Sequence, residues 1–235
     1  MTPALVEIDG LSKDYRALRP LRIERLAVAA GESVAIVGLD RAAAETLVNL
    51  VTGATLPDAG ELRVFGRPTS AIAGADEWLA IIDRCGIVTE RAVLLDQLSV
   101  LQNLAMPFTL DIEPPPQDVR ARAAALASEV GLPAAAVDRA VAELDAVGRL
   151  RVRLGRALAL GPSLLLLEHA NADLSEAEKA ESAGQIRSIA ARRGAAVLAA
   201  TADERYARAI ADRVLVLEPA TGRLRERGFR KWFRG

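Results

Sequence analysis

The 22 residues from Glu32 to Gly53 constrain this chain most, because they allow one local architecture and withhold its usual chemistry. Ser33 to Val37 is a short apolar run fit for a buried strand. Gly38 turns the chain, and Leu47, Leu50 and Val51 mark one face of a following helix. A strand, a tight turn and an amphipathic helix form the unit in which proteins cradle phosphate. That use needs G-x-x-x-x-G-K-[ST], where bare backbone N–H groups, a lysine and a hydroxyl converge on anionic oxygens and a metal. Counted from Gly38, the second glycine position holds Ala43, the lysine position Ala44 and the hydroxyl position Glu45. The scaffold is present and its ligands are absent.

The rest of the chain supplies a setting for such a unit. Residues 4–8 and 21–28 alternate apolar and polar and read as strands, the first ending in a turn at Asp9-Gly10. Residues 61–65 read as another strand after the turn at 57–60, and Gly86 to Val88 as a buried one. Residues 93–160 read as helical throughout, interrupted by Glu113-Pro114-Pro115-Pro116, which no helix can continue. Beyond it, Ser163 to Leu167 is apolar on both faces, as a central parallel strand requires. A helix from Glu176 to Arg193 starts at Ser175 and stops at Gly194, and strands at 195–200 and 213–217 bracket a helix at 203–211. Strands alternating with helices predict an α/β fold with a parallel sheet and crossovers.

Composition excludes some functions. A net charge of −1 gives no field for nucleic acid. Cys85 is alone, so no internal disulfide can form, and it reads as a small buried apolar residue rather than a reactive thiol. No apolar run is long enough to span a bilayer and no signal peptide opens the chain, so a cytoplasmic or membrane-peripheral protein is expected. The end, Arg227 to Arg234, mixes Phe229, Trp232 and Phe233 with basic residues. It reads either as an interfacial anchor or as a tail folded on its own core.

In this order and spacing the segments resemble the ATP-binding subunit of an ABC transporter across nearly the whole chain. Asp9 to Tyr15 is similar to the opening strand and aromatic A-loop, 30–38 to the strand entering Walker A, and 57–61 to the turn after its helix. Residues 86–90 resemble the Q-loop, 94–107 the helical entry after it, 151–160 the helix after the LSGGQ signature, 164–167 Walker B and 211–217 the last core strand. The resemblance implies one domain over 1–235: a P-loop NTPase (RecA-like) α/β core with a parallel sheet (1–92 and 161–221), carrying an N-terminal antiparallel β subdomain. An α-helical subdomain is inserted at 93–160, and 222–235 forms a basic aromatic tail. The entry helix is similar to that of lipoprotein-release and macrolide-type exporters, a likeness too general to name a substrate.

The resemblance also implies where chemistry should sit, and there the chain departs from it. The Q-loop glutamine falls on Glu90, the Walker B aspartate on Glu168, the catalytic glutamate on His169 and the switch histidine on Ala202. The signature reads Leu144-Asp145-Ala146-Val147-Gly148, and the D-loop aspartate falls on Ser175. No catalytic position is intact. The implied nucleotide contacts are Tyr15, Gly38, Arg41, Ala43, Ala44, Glu45 and Thr46, with Glu168 toward a metal and Arg41 as the one basic residue of the loop. Losing the lysine removes a charge-assisted contact of about 1.5–3 kcal/mol. ATP and Mg²⁺ are thus implied by resemblance only. The expected protein is a degenerate pseudo-ATPase with weak or no ATP binding. Its expected partners are an ABC permease and a second ATP-binding subunit, as homodimer or heterodimer. The alternative is a divergent but active ATPase coupling hydrolysis to transport, with Glu168 on the metal.

Overall fold

The computed structural model describes residues 4–227 and contains two sheets. Strands β1 (Ala4–Lys13), β2 (Leu21–Ala29), β4 (Ala59–Val64) and β5 (Arg67–Pro68) form an antiparallel sheet in the order β2-β1-β4-β5. Strands β3 (Ser33–Val37), β6 (Cys85–Thr89), β7 (Leu164–Glu168), β8 (Ala196–Thr201), β9 (Arg213–Glu218) and β10 (Arg223–Glu226) form the other, in the order β10-β9-β3-β8-β7-β6. All its pairings are parallel except that of β10 with β9. Helices α1 (Arg41–Val51) and α2 (Ala75–Ile82) lie on the N-terminal side of the sequence. Helices α3 (Val100–Ala105), α4 (Gln117–Glu129) and α5 (Ala146–Leu158) come between β6 and β7, and α6 (Glu176–Arg193) and α7 (Glu204–Ile210) flank β8.

The central strands are apolar on both sides because both sides are covered. In β3, β7 and β8, alternate side chains enter two different cores, as the two-residue period of a strand requires. Ala35, Val37, Leu165, Leu167, Val197 and Ala199 join a core with helices α3 to α7. Val34, Ile36, Leu164, Leu166, Ala196 and Leu198 join the one shared with α1 and the antiparallel sheet. Helix α6 keeps its expected ends: Ser175 and Glu178 form a capping box, and Gly194 closes it in the left-handed conformation at φ 65°.

Three expectations change. Asp9-Gly10 is not a turn, because β1 runs straight through it to Lys13 with a register shift against β4 between Asp9 and Ser12. Residues 93–160 are not helical throughout: besides the expected break at Glu113 to Pro116, turn, extended and short 3-10 segments separate α4 from α5 between 130 and 145. Residues 223–226, placed in the tail, instead pair with β9 and extend the sheet. Phe229, Trp232 and Phe233 lie outside the described residues.

The helices between β6 and β7 are tied back to the core by a forked ion pair. Arg193, at the end of α6, donates to both oxygens of Glu129 on α4 at 2.7 and 2.6 Å. Hydrogen bonding by Arg193, reinforced by its charge, holds the Glu129 carboxyl below its ordinary range. A depressed carboxylate stabilises the fold above its unfolded pKa of about 4.3, and that stability is lost as pH falls through the folded value. Glu129→Gln is therefore expected to cost about 1 kcal/mol near neutral pH, discounted for solvent screening. The difference from wild type should shrink as pH falls below about 4.3 and disappear once it lies below the depressed folded value. Urea unfolding across a pH series from neutral into the acid range measures it, and a pH-independent difference would show that the pair contributes nothing.

Candidate functional site

Five of the residues singled out from the sequence, Arg41, Glu45, Glu90, Glu168 and His169, converge at the C-terminal ends of β3, β6 and β7. A cavity of about 310 Å³ is lined there by Arg41, Ala42, Glu45, Thr89, Glu90, Arg91, Glu168 and His169. Ligands of open α/β sheets bind at this end of the strands.

The loop after β3 has changed its backbone as well as its side chains. Gly38 adopts φ 99°, and a Cβ there would stand 3.1 Å from the carbonyl oxygen of Leu217, so this glycine is required by conformation and contact alike. Only Leu39 and Asp40 then separate it from α1, which begins at Arg41, three residues before the lysine position. Asp40 caps the helix. Its carboxylate accepts from the Ala43 N–H at 2.7 Å, and its carbonyl accepts from the Ala44 N–H at 2.9 Å. Those two N–H groups occupy the glycine and lysine positions of a phosphate loop, and both are already satisfied. Ala43 and Ala44 are themselves buried. The Thr46 hydroxyl is also committed, donating to the Ala42 carbonyl at 2.7 Å.

Glu45, by contrast, points into the cavity, and its partner was not foreseen. Arg91, just past β6, places Nη1 2.7 Å from Glu45. With Nε and Nη2 it forks onto both oxygens of Glu168, at 2.9 and 2.6 Å. The Glu168 side chain is 6% exposed, so this pair supplies the counter-charge of a buried carboxylate. Hydrogen bonding to Glu168, and its charge, raise the Arg91 pKa above its ordinary value. The parallel register of β6 with β7 sets Thr89 beside Glu168 and so carries Arg91 over it. Local sequence held one clue: two carboxylates at positions that expect a hydroxyl and a metal ligand require a cation, and Arg91 directly follows Glu90.

Arg41 turns toward Glu90, at 3.3 Å, rather than back over the loop. Glu90 keeps Oε1 buried with no partner. His169 takes φ 44°, donates its backbone N–H to the Ala200 carbonyl at 2.9 Å and leaves Nε2 buried and unpartnered. Ala202 is exposed and does not line the cavity. Tyr15 is half-buried against the core of the antiparallel sheet, and burial together with the charge of Asp40 raises its pKa. In the signature stretch, Asp145 caps α5 and accepts from the Gly148 N–H at 2.7 Å, so this helix start too holds a carboxylate of its own chain.

Cys85 stands apart from this chemistry. Burial pushes its thiol up to about 12. Thiolate-dependent labelling of the native protein should be on the order of a thousandfold slower than that of a free cysteine and should recover in denaturant. Rapid native labelling by a disulfide reagent would contradict this environment.

The sequence model of the ABC transporter family matches residues 21–172. The lipoprotein-releasing system ATP-binding protein LolD of Chromohalobacter salexigens is 31% identical over 226 residues, covering 94% of this chain and 93% of that protein. The aliphatic sulfonates import ATP-binding protein SsuB 2 of Agrobacterium fabrum is 34% identical over 215 residues, covering 92% of this chain and 76% of its own. Among solved structures, a bacterial ABC transporter cassette determined as a dimer superposes with a TM-score of 0.76 at 22% identity, covering 95% of this chain and 100% of that one. This last likeness bears on the fold alone. By family match and full-length similarity, the chain belongs to the ABC transporter ATP-binding subunits.

Proposed function

We propose that this subunit is a degenerate ABC ATP-binding protein that binds ATP weakly or not at all. It serves as a partner of a membrane permease or of another ATP-binding subunit. One observation carries the reading: the two N–H groups at the glycine and lysine positions of the loop are bonded to Asp40, inside a helix that begins three residues early. A phosphate at this loop would have to unwind the first turn of α1, displace the Asp40 carboxylate and approach Glu45 without a lysine to offset the repulsion. Mg²⁺ meets the same difficulty, since Glu168 spends both oxygens on Arg91. The residues present do not fit a magnesium nucleotide held in the family manner.

What remains serviceable is the scaffold. Similar proteins are named for lipoprotein release and for sulfonate import, so one cassette architecture serves transport of opposite sense, and the partner carries the substrate. This favours a subunit kept for docking to a permease at the cytoplasmic membrane face, as homodimer or heterodimer. No described helix is long and apolar enough to cross a membrane.

Titration calorimetry of the purified chain with Mg-ATP tests the reading. No saturable binding at millimolar nucleotide is expected, and Ala44→Lys alone should raise affinity less than about tenfold. The new charge offers about 1.5–3 kcal/mol but must face Asp40 and a closed cradle. Micromolar binding by the wild type, or hydrolysis abolished by Glu168→Gln, would overturn it.

A further inference from the structure

We infer that Arg91 is a built-in cation: its guanidinium occupies, between Glu45 and Glu168, the place of a divalent metal, and its removal opens a metal site there. The inference rests on the reading above, that the site no longer takes a magnesium nucleotide, and adds what has replaced the metal.

Three observations carry it. First, the partners are the two residues that stand at the metal-side positions of the pattern, Glu45 at the hydroxyl and Glu168 at the aspartate, and one guanidinium bridges both through three donors at 2.6 to 2.9 Å. Second, a carboxylate as buried as Glu168 must have a counter-charge, and this is its only ion pair among the described residues. Third, the backbone that carries the arginine is itself held in place. Its own backbone N–H donates to Thr89 Oγ1 at 3.2 Å, in the turn out of β6, whose last residue is paired with Glu168 of β7.

A guanidinium suits this place because its planar fork matches a carboxylate edge and keeps its charge at any accessible pH. Tethered to the chain, it needs no ambient metal. The bridge joins α1, the segment after β6, and β7, so the three elements are held together whether or not any ligand is bound. Without Arg91, Arg41 is left alone against Glu45, Glu90 and Glu168 in one cavity. Magnesium is usually held by one or two carboxylates, several waters and substrate phosphates. Glu45 and Glu168 supply the two carboxylates, no group of three or more metal-ligating side chains occurs among the described residues, and water would fill the remaining positions.

The test compares full-length wild type, Arg91→Gln, Arg91→Lys and Arg91→Gln/Glu168→Gln, with Mn²⁺ as the probe, by electron paramagnetic resonance and by thermal unfolding. Arg91→Gln should take up one Mn²⁺, and its Tm should rise by about 3 °C or more at roughly tenfold excess over the Kd. The wild type and Arg91→Lys, which keep a cation, should show neither effect. Adding Glu168→Gln should abolish the gain. Failure of folded Arg91→Gln to bind more Mn²⁺ than wild type overturns the inference. So does uptake of Mn²⁺ by the wild type that Glu168→Gln removes, a measurement that needs no Arg91 variant to fold. If Arg91→Gln folds only with Mn²⁺ present, the inference is supported directly. Mg-ATP binding by the wild type alongside a Mn²⁺ gain in Arg91→Gln would sink the proposed function and leave Arg91 as the resting counter-ion.

Discussion

Arg91→Leu is expected to destabilise the protein by about 2 to 3 kcal/mol in metal-free buffer, and the double variant Arg91→Leu/Glu168→Leu to recover most of that loss. The asymmetry follows from burial. Removing the arginine strands a carboxylate that is 6% exposed, whereas the arginine itself is 47% exposed and can return to water. Breaking a fully buried pair from one side costs about 3 to 5 kcal/mol, and the half-exposed arginine lowers that figure. Deleting both charges leaves apolar side chains beside the cores already formed by β3 and β7, and Glu45, with its side chain 42% exposed, can resolvate. Chemical denaturation of the four members of the cycle measures the coupling. If the two single effects simply add, the bridge is ornamental and the account of this site fails.

Gly60→Ala is expected to cost at least about 3 kcal/mol, for a reason unconnected with the site. Gly60 sits at φ 81°, where a side chain is strained, and its Cβ would fall 2.3 Å from the carbonyl oxygen of Gly10. The obstacle is backbone, so no rotamer change relieves it. It lies in the irregular stretch of the β1–β4 pairing, between the Asp9–Glu61 and Ser12–Ala59 pairs. Gly10→Ala makes the natural control: it also has positive φ, at 61°, but nothing within 4 Å of the added atom. Its cost should stay near about 1 kcal/mol, the conformational penalty alone. Equal melting temperatures for the two variants would mean that the close strand crossing yields easily.

The same crossing explains one error of sequence reading. Asp-Gly between alternating residues is a strong turn signal, yet here β1 continues through Gly10, whose φ of 61° accompanies the register shift against β4, and the close approach is made by Gly60 of the neighbouring strand. Nothing local to residues 4–13 distinguishes the two uses, because the partner arrives from residue 60. Residues 223–226 were assigned to a tail for a related reason. Their charged side chains suit an edge strand as well as a solvated end, and only pairing with β9 decides between them.

The site was legible to different depths. That Ala43, Ala44 and Glu45 depart from a phosphate loop follows from counting along the chain from Gly38. That Asp40 caps a helix was also within reach, since aspartate is a preferred N-cap and three alanines follow Arg41 without a glycine to interrupt them. The closing of the cradle was thus written locally, although its reading requires asking where the helix starts and not only which ligands are absent.

The sequence by itself determined the strands of the parallel sheet from β3 to β9 in outline, the helices α1, α6 and α7, the two-sided burial of the central strands, the caps at Ser175 and Gly194 and the loss of the phosphate-loop residues. All of these depend on short-range periodicity, dihedral preference or position within a motif. Only the tertiary structure decided that Arg91 would balance Glu45, 46 residues away, and Glu168, 77 residues away. An ion pair has no sequence period. It exists because parallel pairing sets Thr89 beside Glu168, α1 packs over the same strand, and a buried carboxylate draws to it a guanidinium that the register brings within reach.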